Sequence, residues 1–350
     1  MSSVVRRSLI AVVFVAGILT LRILAGSAWN VRSNTLTVQR PLMGTIWKIS
    51  VADHGRSEAA RIAVSKAYDE LTRLDALMSE WKPNSPVTQI NDAAGERAVI
   101  VPAELRELIQ RSIRYSEITE GTFDITWRGM GDIWRFDEQF KVPTAEEVAR
   151  GQRRVSYREI RIDGDRVFLP RTGMKIGLGG IAKGYAIDRA IDVLRTEGFT
   201  DALVDGGGDV RVSGSVEGHP WRLGIQEPRQ ERGRILGTVE LGVGSSSTAS
   251  PNLVLVTSGD YERFRIVDGV RYHHIIDVRT GWPAWASSSV TVLARSTEQG
   301  VVLAKGIFIL GHVKGLELAE SEGVDALVID AQGKQYMTPG FARCLRMERN

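Results

Sequence analysis

A glycine-rich turn that runs into a helix is the feature that most constrains this chain. Residues 175–188 begin with spaced apolar residues, pass through Gly179-Gly180, and continue with apolar residues at helical spacing. Free N–H groups and the positive end of the helix dipole favour an anion at such a helix N-terminus, and Lys183 in the first turn adds a full positive charge. We therefore interpret residues 179–183 as a phosphate cradle suited to a pyrophosphate.

The same pattern also has an ordinary interpretation. Gly-Gly before a helix is common turn chemistry, and the spacing matches neither the P-loop nor the dinucleotide-binding fingerprint. A second glycine-rich turn, which runs from Asp205 to Asp209, is open to the same two interpretations. The hypothesis of a phosphate cradle therefore depends on the other motifs of the chain.

Composition and charge limit the possible partners. The chain has 350 residues, of which 43% are hydrophobic and 25% charged, which is typical of one large or two ordinary folded domains. The net charge is only +3 and the basic residues are scattered, so the sequence predicts no nucleic-acid partner. A small molecule that carries phosphate is the favoured anionic ligand.

The N-terminus has the layout of an export signal. Arg6-Arg7 precedes an apolar run at residues 9–21, and the small residues 25–28 follow it. We predict that residues 1–28 are a signal peptide or a membrane anchor and that residues 29–350 form the functional domain. Either alternative places this domain on the periplasmic side of the cytoplasmic membrane, soluble after cleavage or held at the inner membrane by its N-terminus.

Helical and strand patterns interleave without strict alternation. Residues 37–50 alternate like one strand that contains Gly44, whereas residues 57–78 carry apolar side chains at helical spacing. Asp163-Gly164 lies between two short strand patterns and predicts a tight hairpin. We predict an α+β fold whose core is a mixed, largely antiparallel sheet with flanking helices.

Two adjacent histidines, His273 and His274, are candidates for acid–base chemistry. A neutral imidazole beside a phosphoryl group can serve as a general base. Because neighbouring residues of a strand point to opposite faces, at most one of the two faces the phosphate cradle, and the pair makes a poor metal site. For each histidine the alternative is a surface or hydrogen-bonded strand residue without chemistry.

Seven motifs in chain order resemble the ApbE family, the FAD:protein FMN transferases. The resemblance covers residues 38–329 and implies an ApbE-like fold. The motifs are Met43-Gly-Thr45, Met78-Ser-Glu-Trp81 with Pro83, Ser85 and Asn91, Phe123-Asp-Ile-Thr126, Gly179-Gly-Ile-Ala-Lys-Gly-Tyr-Ala-Ile-Asp188, Gly207-Gly-Asp209, Thr257-Ser-Gly-Asp-Tyr261 and His274-Ile-Ile-Asp-Val-Arg-Thr-Gly281.

The resemblance implies an extracytoplasmic enzyme that binds FAD and, with Mg²⁺, splits its pyrophosphate. FMN would pass to a Thr or Ser hydroxyl of a partner redox protein while AMP leaves. Lys183 would hold the phosphates, His274 would take the proton from the acceptor hydroxyl, and the Trp81 ring would stack on FAD. The other predicted FAD contacts are Met43, Thr122, Phe123, Asp124, Gly179, Gly180, Asp188, Asp209 and Ile275.

The sequence departs from the family pattern at the metal site. The family binds its cation with the backbone carbonyl at the Gly180 position and with an Asp and a Thr of a late helix, where this chain has Val301 and Lys305. An apolar side chain ligates nothing, and an ammonium repels a divalent cation. Glu298, one turn before Val301, is left as a lone carboxylate, which is a poor Mg²⁺ site.

Two functional hypotheses follow from these departures. The first is an exported FMN transferase in which Lys305 neutralises the pyrophosphate in the place of the metal. The alternative is an FAD-binding protein that has lost transfer and acts as a flavin carrier or an assembly subunit. For Lys305 itself the alternative is a solvated helix lysine. Two further family residues are also changed, since Gly177 replaces an Asp and Val278 a Pro.

Overall fold

The computed structural model describes residues 35–231, 233–243 and 253–348, so the predicted signal or anchor at residues 1–28 lies outside the described residues. Among the described helices, none is long and apolar enough to cross a membrane. The helices are α1 (Ser57–Met78), α2 (Pro86–Asp92), α3 (Ala103–Ile118), α4 (Ala145–Gln152), α5 (Ala182–Thr196), α6 (Thr297–Leu310), α7 (His312–Ser321) and α8 (Pro339–Cys344).

Eighteen short strands make up the β-structure of the described residues. They are β1 (Thr35–Leu42), β2 (Thr45–Ala52), β3 (Val99–Ile100), β4 (Arg161–Asp163), β5 (Arg166–Phe168), β6 (Ala202–Gly206), β7 (Val210–Ser213), β8 (Trp221–Gln226), β9 (Ile235–Leu241), β10 (Val254–Gly259), β11 (Phe264–Val267), β12 (Val270–His273), β13 (Ile276–Asp277), β14 (Trp282–Pro283), β15 (Ser287–Ala294), β16 (Asp325–Asp330), β17 (Gln335–Met337) and β18 (Arg346–Met347).

An eight-stranded sheet forms the centre of the protein. Its strand order is β1-β2-β6-β7-β10-β15-β16-β17, and every pair of neighbours is antiparallel. Helices follow some strands and not others, so the chain does not build the parallel crossovers of a doubly wound fold. The predicted α+β fold with a largely antiparallel sheet is confirmed.

The central sheet has a different layer on each face. Helices α1, α5 and α6 cover one face, and the three-stranded sheet β18-β9-β8 covers the other. The alternation of a pleated strand sorts the side chains between the two cores, because Val254 and Val256 of β10 join the helical core while Leu255 joins the second core. Each face is therefore buried, and loops at the strand ends are left to form sites.

Local sequence signals account for several element boundaries. Thr144 and Glu147 form a complete capping box at the start of α4, as the Thr-x-x-Glu spacing predicts. The hairpin predicted at Asp163-Gly164 joins β4 and β5, with Gly164 at a φ of 55°. In both cases the interacting residues are at most four positions apart in the chain, so the local sequence sets the boundary and tertiary packing does not override it.

The prediction of one continuous strand at residues 37–50 is wrong. The chain reverses at Met43 and Gly44, whose φ angles are 46° and 73°, and forms the β1–β2 hairpin. Positive φ at both central residues matches the right-handed twist of the flanking strands. The alternating pattern continues across the turn because both strands present their apolar side chains to the same core.

Candidate functional site

Residues 179–183 form the turn that leads into α5, as predicted. The residue before the helix, Ile181, provides no side-chain cap, so the helix N-terminus keeps free backbone donors. A Cβ atom added to Gly179 would meet no heavy atom within 4 Å, which places this part of the turn beside open space. The geometry is that of a helix N-terminus accessible to an anion.

The segment that leads into the phosphate cradle is held by side-chain and loop contacts rather than by a sheet. The Asn91 amide donates to the Ile176 carbonyl at 2.9 Å, and its oxygen accepts from the Ile176 N–H at 2.7 Å. The Gly177 N–H donates to the carbonyl of Ile125 at 2.8 Å. These hydrogen bonds hold the segment in place as pairing with a neighbouring strand would, and they fix the position of the turn that follows it.

Glu80 is part of this support, and the sequence analysis did not identify it. Its buried carboxylate lies 3.1 Å from Arg128 Nε and accepts hydrogen bonds from the backbone of Leu178 and Gly179. A Cβ atom on Gly177 would lie 2.5 Å from Glu80 Oε2, so Glu80 fills the space that a side chain at 177 would take. Burial raises the pKa of Glu80 to about 7, against the opposing effect of Arg128. The sequence signals for Glu80 were its place in the Met78–Trp81 motif and the loss of the family Asp at 177.

Lys183 and Asp209, which belong to two different glycine-rich motifs, form an ion pair. Lys183 Nζ lies 3.0 Å from Asp209 Oδ2 and 3.4 Å from the Gly206 carbonyl. A Cβ atom on Gly208 would meet no heavy atom within 4 Å, so this turn also faces open space. Its other side is packed, because Thr45 at the end of the β1–β2 turn lies against Gly207. Two glycine-rich motifs therefore meet at the Lys183 ammonium, and the β1–β2 turn packs behind the second of them.

Lys305 is not a solvated helix lysine. Its Cδ and Cε atoms would lie 3.7 Å from a Cβ atom on Gly180, and its Nζ donates to the Val301 carbonyl at 3.0 Å. Burial, with a smaller effect of the Lys183 charge, lowers the pKa of Lys305 to about 8, while Asp209 acts in the opposite direction. The side chain is therefore protonated at neutral pH and adds a second ammonium to the phosphate cradle.

Residues 122–124 lie against the same turn, but their polar groups serve the fold. The Phe123 ring would be 3.0 Å from a Cβ atom on Gly180. The Thr122 hydroxyl donates to the Thr119 carbonyl at 2.7 Å. Asp124 accepts from the Thr126 N–H and hydroxyl at 2.7 and 2.6 Å and from the Tyr157 N–H at 3.0 Å, and burial raises its pKa. The predicted contact of this segment with FAD stays a prediction.

Asp188 holds the N-terminus of α6. Its carboxylate accepts from Ser296 Oγ at 2.9 Å and from the N–H groups of Thr297 and Glu298 at 3.0 and 3.1 Å. Arg211 also donates to it. The structure thus gives this carboxylate a capping role across two helices, and the predicted contact of Asp188 with FAD stays a prediction. Because α6 carries Lys305, Asp188 acts on the phosphate cradle indirectly.

The adjacent histidines differ in exposure, because His273 ends β12 and is buried whereas His274 follows the strand and is exposed. His273 is fully buried, and its Nε2 donates to the Ala284 carbonyl at 2.7 Å while Nδ1 accepts from the Ile275 N–H at 3.3 Å. The Ile275 side chain is buried and its carbonyl accepts from the Ala284 N–H at 3.0 Å, so this residue also supports the fold. His273 is therefore structural, and His274 remains for chemistry.

The His274 side chain is reached by solvent, yet protein groups surround it on several sides. Desolvation, followed by the charges of His273, Arg263 and Lys305, lowers the pKa of His274 below its usual range. The imidazole is consequently neutral at physiological pH and can accept a proton.

Two predicted flavin contacts lie at the edge of the site. Trp81 is 74% exposed, and Arg128 lies over its ring with Cζ 4.6 Å from the ring centroid. Met43 occupies the tip of the β1–β2 hairpin and packs partly on the helical core. An exposed tryptophan fixed by a buried arginine is well suited to stack on a planar ligand.

The residues present do not fit the metal site of the family. Val301 is buried, and its Cγ2 would lie 2.7 Å from a Cβ atom on Gly184, so it packs between α5 and α6. Glu298 is a possible metal ligand from its sequence position. Its carboxylate oxygens instead accept hydrogen bonds from Arg111 Nε and Nη2 at 2.7 and 3.0 Å. Across the described ranges, no group of three or more His, Cys, Asp or Glu side chains could hold a metal ion.

Comparison with known proteins gives a consistent result. Residues 43–328 match the family model described as "ApbE family". A protein of Klebsiella pneumoniae named FAD:protein FMN transferase is 30% identical over 323 residues, which cover 88% of this chain and 89% of that protein. A Vibrio cholerae protein of the same name is 28% identical over 309 residues, covering 86% and 90%.

Solved structures resemble the fold closely. The crystal structure of an ApbE protein from Thermotoga maritima has a TM-score of 0.80 and 31% identity, and the match covers 89% of this chain and 99% of the other. The flavin transferase ApbE from Vibrio cholerae has a TM-score of 0.75 and 27% identity over the same shares. The similarity therefore extends over almost the whole of both solved chains.

Proposed function

This chain belongs to the ApbE family, and on that basis we propose that it is an FAD:protein FMN transferase. The observation that carries the proposal is the arrangement at the start of α5, where Lys183 and Lys305 converge on an uncapped helix N-terminus near a neutral His274. A pyrophosphate needs cationic and N–H donors, and an acceptor hydroxyl needs a base. This site offers both.

The groups of this site account for the bond formed, the bond broken and the proton transferred in the reaction. The hydroxyl oxygen of a Thr or Ser on a partner redox protein attacks the phosphorus of FAD on the FMN side. A new phosphorus–oxygen bond forms, the pyrophosphate bond breaks, and AMP leaves with the bridging oxygen. His274 accepts the hydroxyl proton, while Lys183 and Lys305 offset the charge that develops on the phosphate oxygens. Trp81 would orient the flavin by stacking.

The alternative of a flavin carrier without transfer activity has less support. The named relatives described above are transferases, and His274 and Lys183 stand at the motif positions that the family resemblance assigns to the base and to the phosphate contact. We also propose that the protein acts on the periplasmic side of the cytoplasmic membrane, because residues 1–28 have the layout of a signal peptide or an anchor. A fusion of these residues to a reporter that is active only after export tests that location.

Transfer is tested with purified protein, FAD and the flavin-acceptor domain of a redox protein. We expect the acceptor band to become fluorescent in a denaturing gel and AMP to appear in equal amount. His274→Ala should bind FAD but leave the acceptor unlabelled. FAD that binds and is released unchanged on denaturation, with no AMP formed, would instead establish a carrier.

A further inference from the structure

We infer that the Lys305 ammonium takes the place of a divalent cation in this site, so that the chain binds FAD and transfers FMN without a metal. The inference rests on the proposed function and concerns how this member of the family neutralises the pyrophosphate. It follows from the position of Lys305, from the net charge of the site and from the failure of the neighbouring residues to fit a metal.

The position of Lys305 is the first argument. Its side chain passes 3.7 Å from the point where a Cβ atom on Gly180 would stand, which is the turn whose backbone lines the phosphate cradle. Lys183, in the first turn of the helix that follows Gly180, is paired with Asp209 at 3.0 Å, and both of these charges act on Lys305. An ammonium carries three N–H donors, and only one of those of Lys305 is used by the Val301 carbonyl. The remaining donors are available to phosphate oxygens.

The net charge of the site is the second argument. In the family pattern, an aspartate at position 301 and a divalent cation would together carry a charge of plus one. Here Val301 is neutral and Lys305 carries plus one, so positions 301 and 305 together carry the same net charge as the family's aspartate and cation. An ammonium is also a point charge that binds phosphate without strict geometry.

The lack of metal ligands is the third argument. Val301 packs against Gly184, Glu298 is bound by Arg111, and Asp209 is bound by Lys183. Mg²⁺ requires several oxygen ligands in near-octahedral geometry, and within the part of the chain that the structure describes no group of three or more His, Cys, Asp or Glu side chains could supply them. A divalent cation would in addition be repelled by the ammonium that already occupies the site.

The test compares FAD binding and acceptor labelling in EDTA with the same measurements in excess Mg²⁺. For the native chain we expect the FAD dissociation constant and the labelling rate to agree within about threefold between the two conditions. Lys305→Met keeps the length of the side chain but removes its charge, and should weaken FAD binding about tenfold or more, as for the loss of a charge-assisted hydrogen bond. Lys305→Arg should restore most of the binding.

Lys314→Met is the matched control, because this lysine lies exposed on α7 and forms only a surface ion pair with Glu120. It should leave FAD binding unchanged. The double variant Val301→Asp, Lys305→Thr should acquire a requirement for Mg²⁺ that EDTA abolishes. Thermal unfolding of each variant shows whether it is folded. If a variant is unfolded, the comparison of the native chain in EDTA and in excess Mg²⁺ still decides whether a metal is required.

The outcomes separate the two proposals. EDTA-resistant FAD binding without labelling would refute the proposed transfer but support the role of Lys305. Binding or labelling of the native chain that EDTA abolishes and Mg²⁺ restores would overturn the role of Lys305 and leave the transferase proposal standing. Failure of the native chain to bind FAD in either condition would overturn both.

Discussion

Asp188 provides a sharp test of whether a motif residue binds the ligand or holds the fold. The family resemblance predicts a contact with FAD, whereas the structure places the carboxylate on the N-terminus of α6. The side chains of Asp188 and Arg211 are only 15% and 13% exposed, so their pairing is largely shielded from water. Asp188→Ala would leave Arg211 and the first N–H groups of α6 without this acceptor.

The expected cost follows from these contacts. Loss of a helix cap costs about 1 kcal/mol, and removal of one partner of a buried ion pair costs roughly 3–5 kcal/mol. Because all the contacts share one carboxylate, the effects do not add, and we expect a total of about 3–5 kcal/mol. For a domain of this size that corresponds to a decrease in melting temperature on the order of 10 °C. Asp188→Asn keeps one oxygen and should lose less.

Thermal unfolding and FAD titration, measured on the same samples, distinguish the two roles. Asp192→Ala is the control, since this residue lies one turn further along α5 and forms only a surface pair with Arg189 at 3.5 Å. Its unfolding temperature should be close to that of the native chain. Well below its own unfolding temperature, Asp188→Asn should bind FAD within about threefold of the native chain, because the hydroxyl and N–H groups at the start of α6 already occupy the carboxylate.

The opposite pattern would refute this assignment. If Asp188→Ala unfolds at the native temperature and binds FAD much more weakly, the carboxylate is a ligand contact and its bonds to α6 contribute little. In that case the resemblance to the family would have located the role of Asp188 better than the geometry did.

Three further predictions concern other parts of the site. Gly184→Ala should destabilise the fold by about 1–3 kcal/mol in urea unfolding, because the new Cβ would lie 2.6 Å from the Thr297 carbonyl; native-like stability would show that α5 and α6 are not packed this closely. Trp81→Ala should leave the melting temperature unchanged and weaken FAD binding by about three- to tenfold, and Trp81→Phe should recover part of the loss. Since the pKa of His274 is below its usual value, the imidazole stays neutral as the pH falls to about 6. The rate of acceptor labelling should therefore not decline between about pH 7.5 and about pH 6. A decline with a midpoint near pH 6.5 would contradict the lowered pKa.

Sequence patterns succeeded where the determining interactions are local. The length of α1 follows from apolar residues at helical spacing, and the start of α4 follows from a capping box within four residues. The β1–β2 hairpin was missed because Met43, which has no intrinsic preference for positive φ, shares the turn with Gly44. The alternation of apolar and polar residues is the same before and after the turn, so only the pairing of β1 with β2 reveals that the chain reverses.

The sequence by itself predicted that a glycine-rich turn precedes a helix, that the sheet is largely antiparallel, and that Val301 and Lys305 stand where the family resemblance implies metal ligands. Only the tertiary structure decided which charged side chains face the phosphate cradle. Asp188 bonds to backbone groups that lie 109 and 110 positions away, and Lys305 meets the turn at Gly180. The physical reason is that burial and charge pairing depend on contacts between distant segments, which the spacing of residues along the chain does not specify.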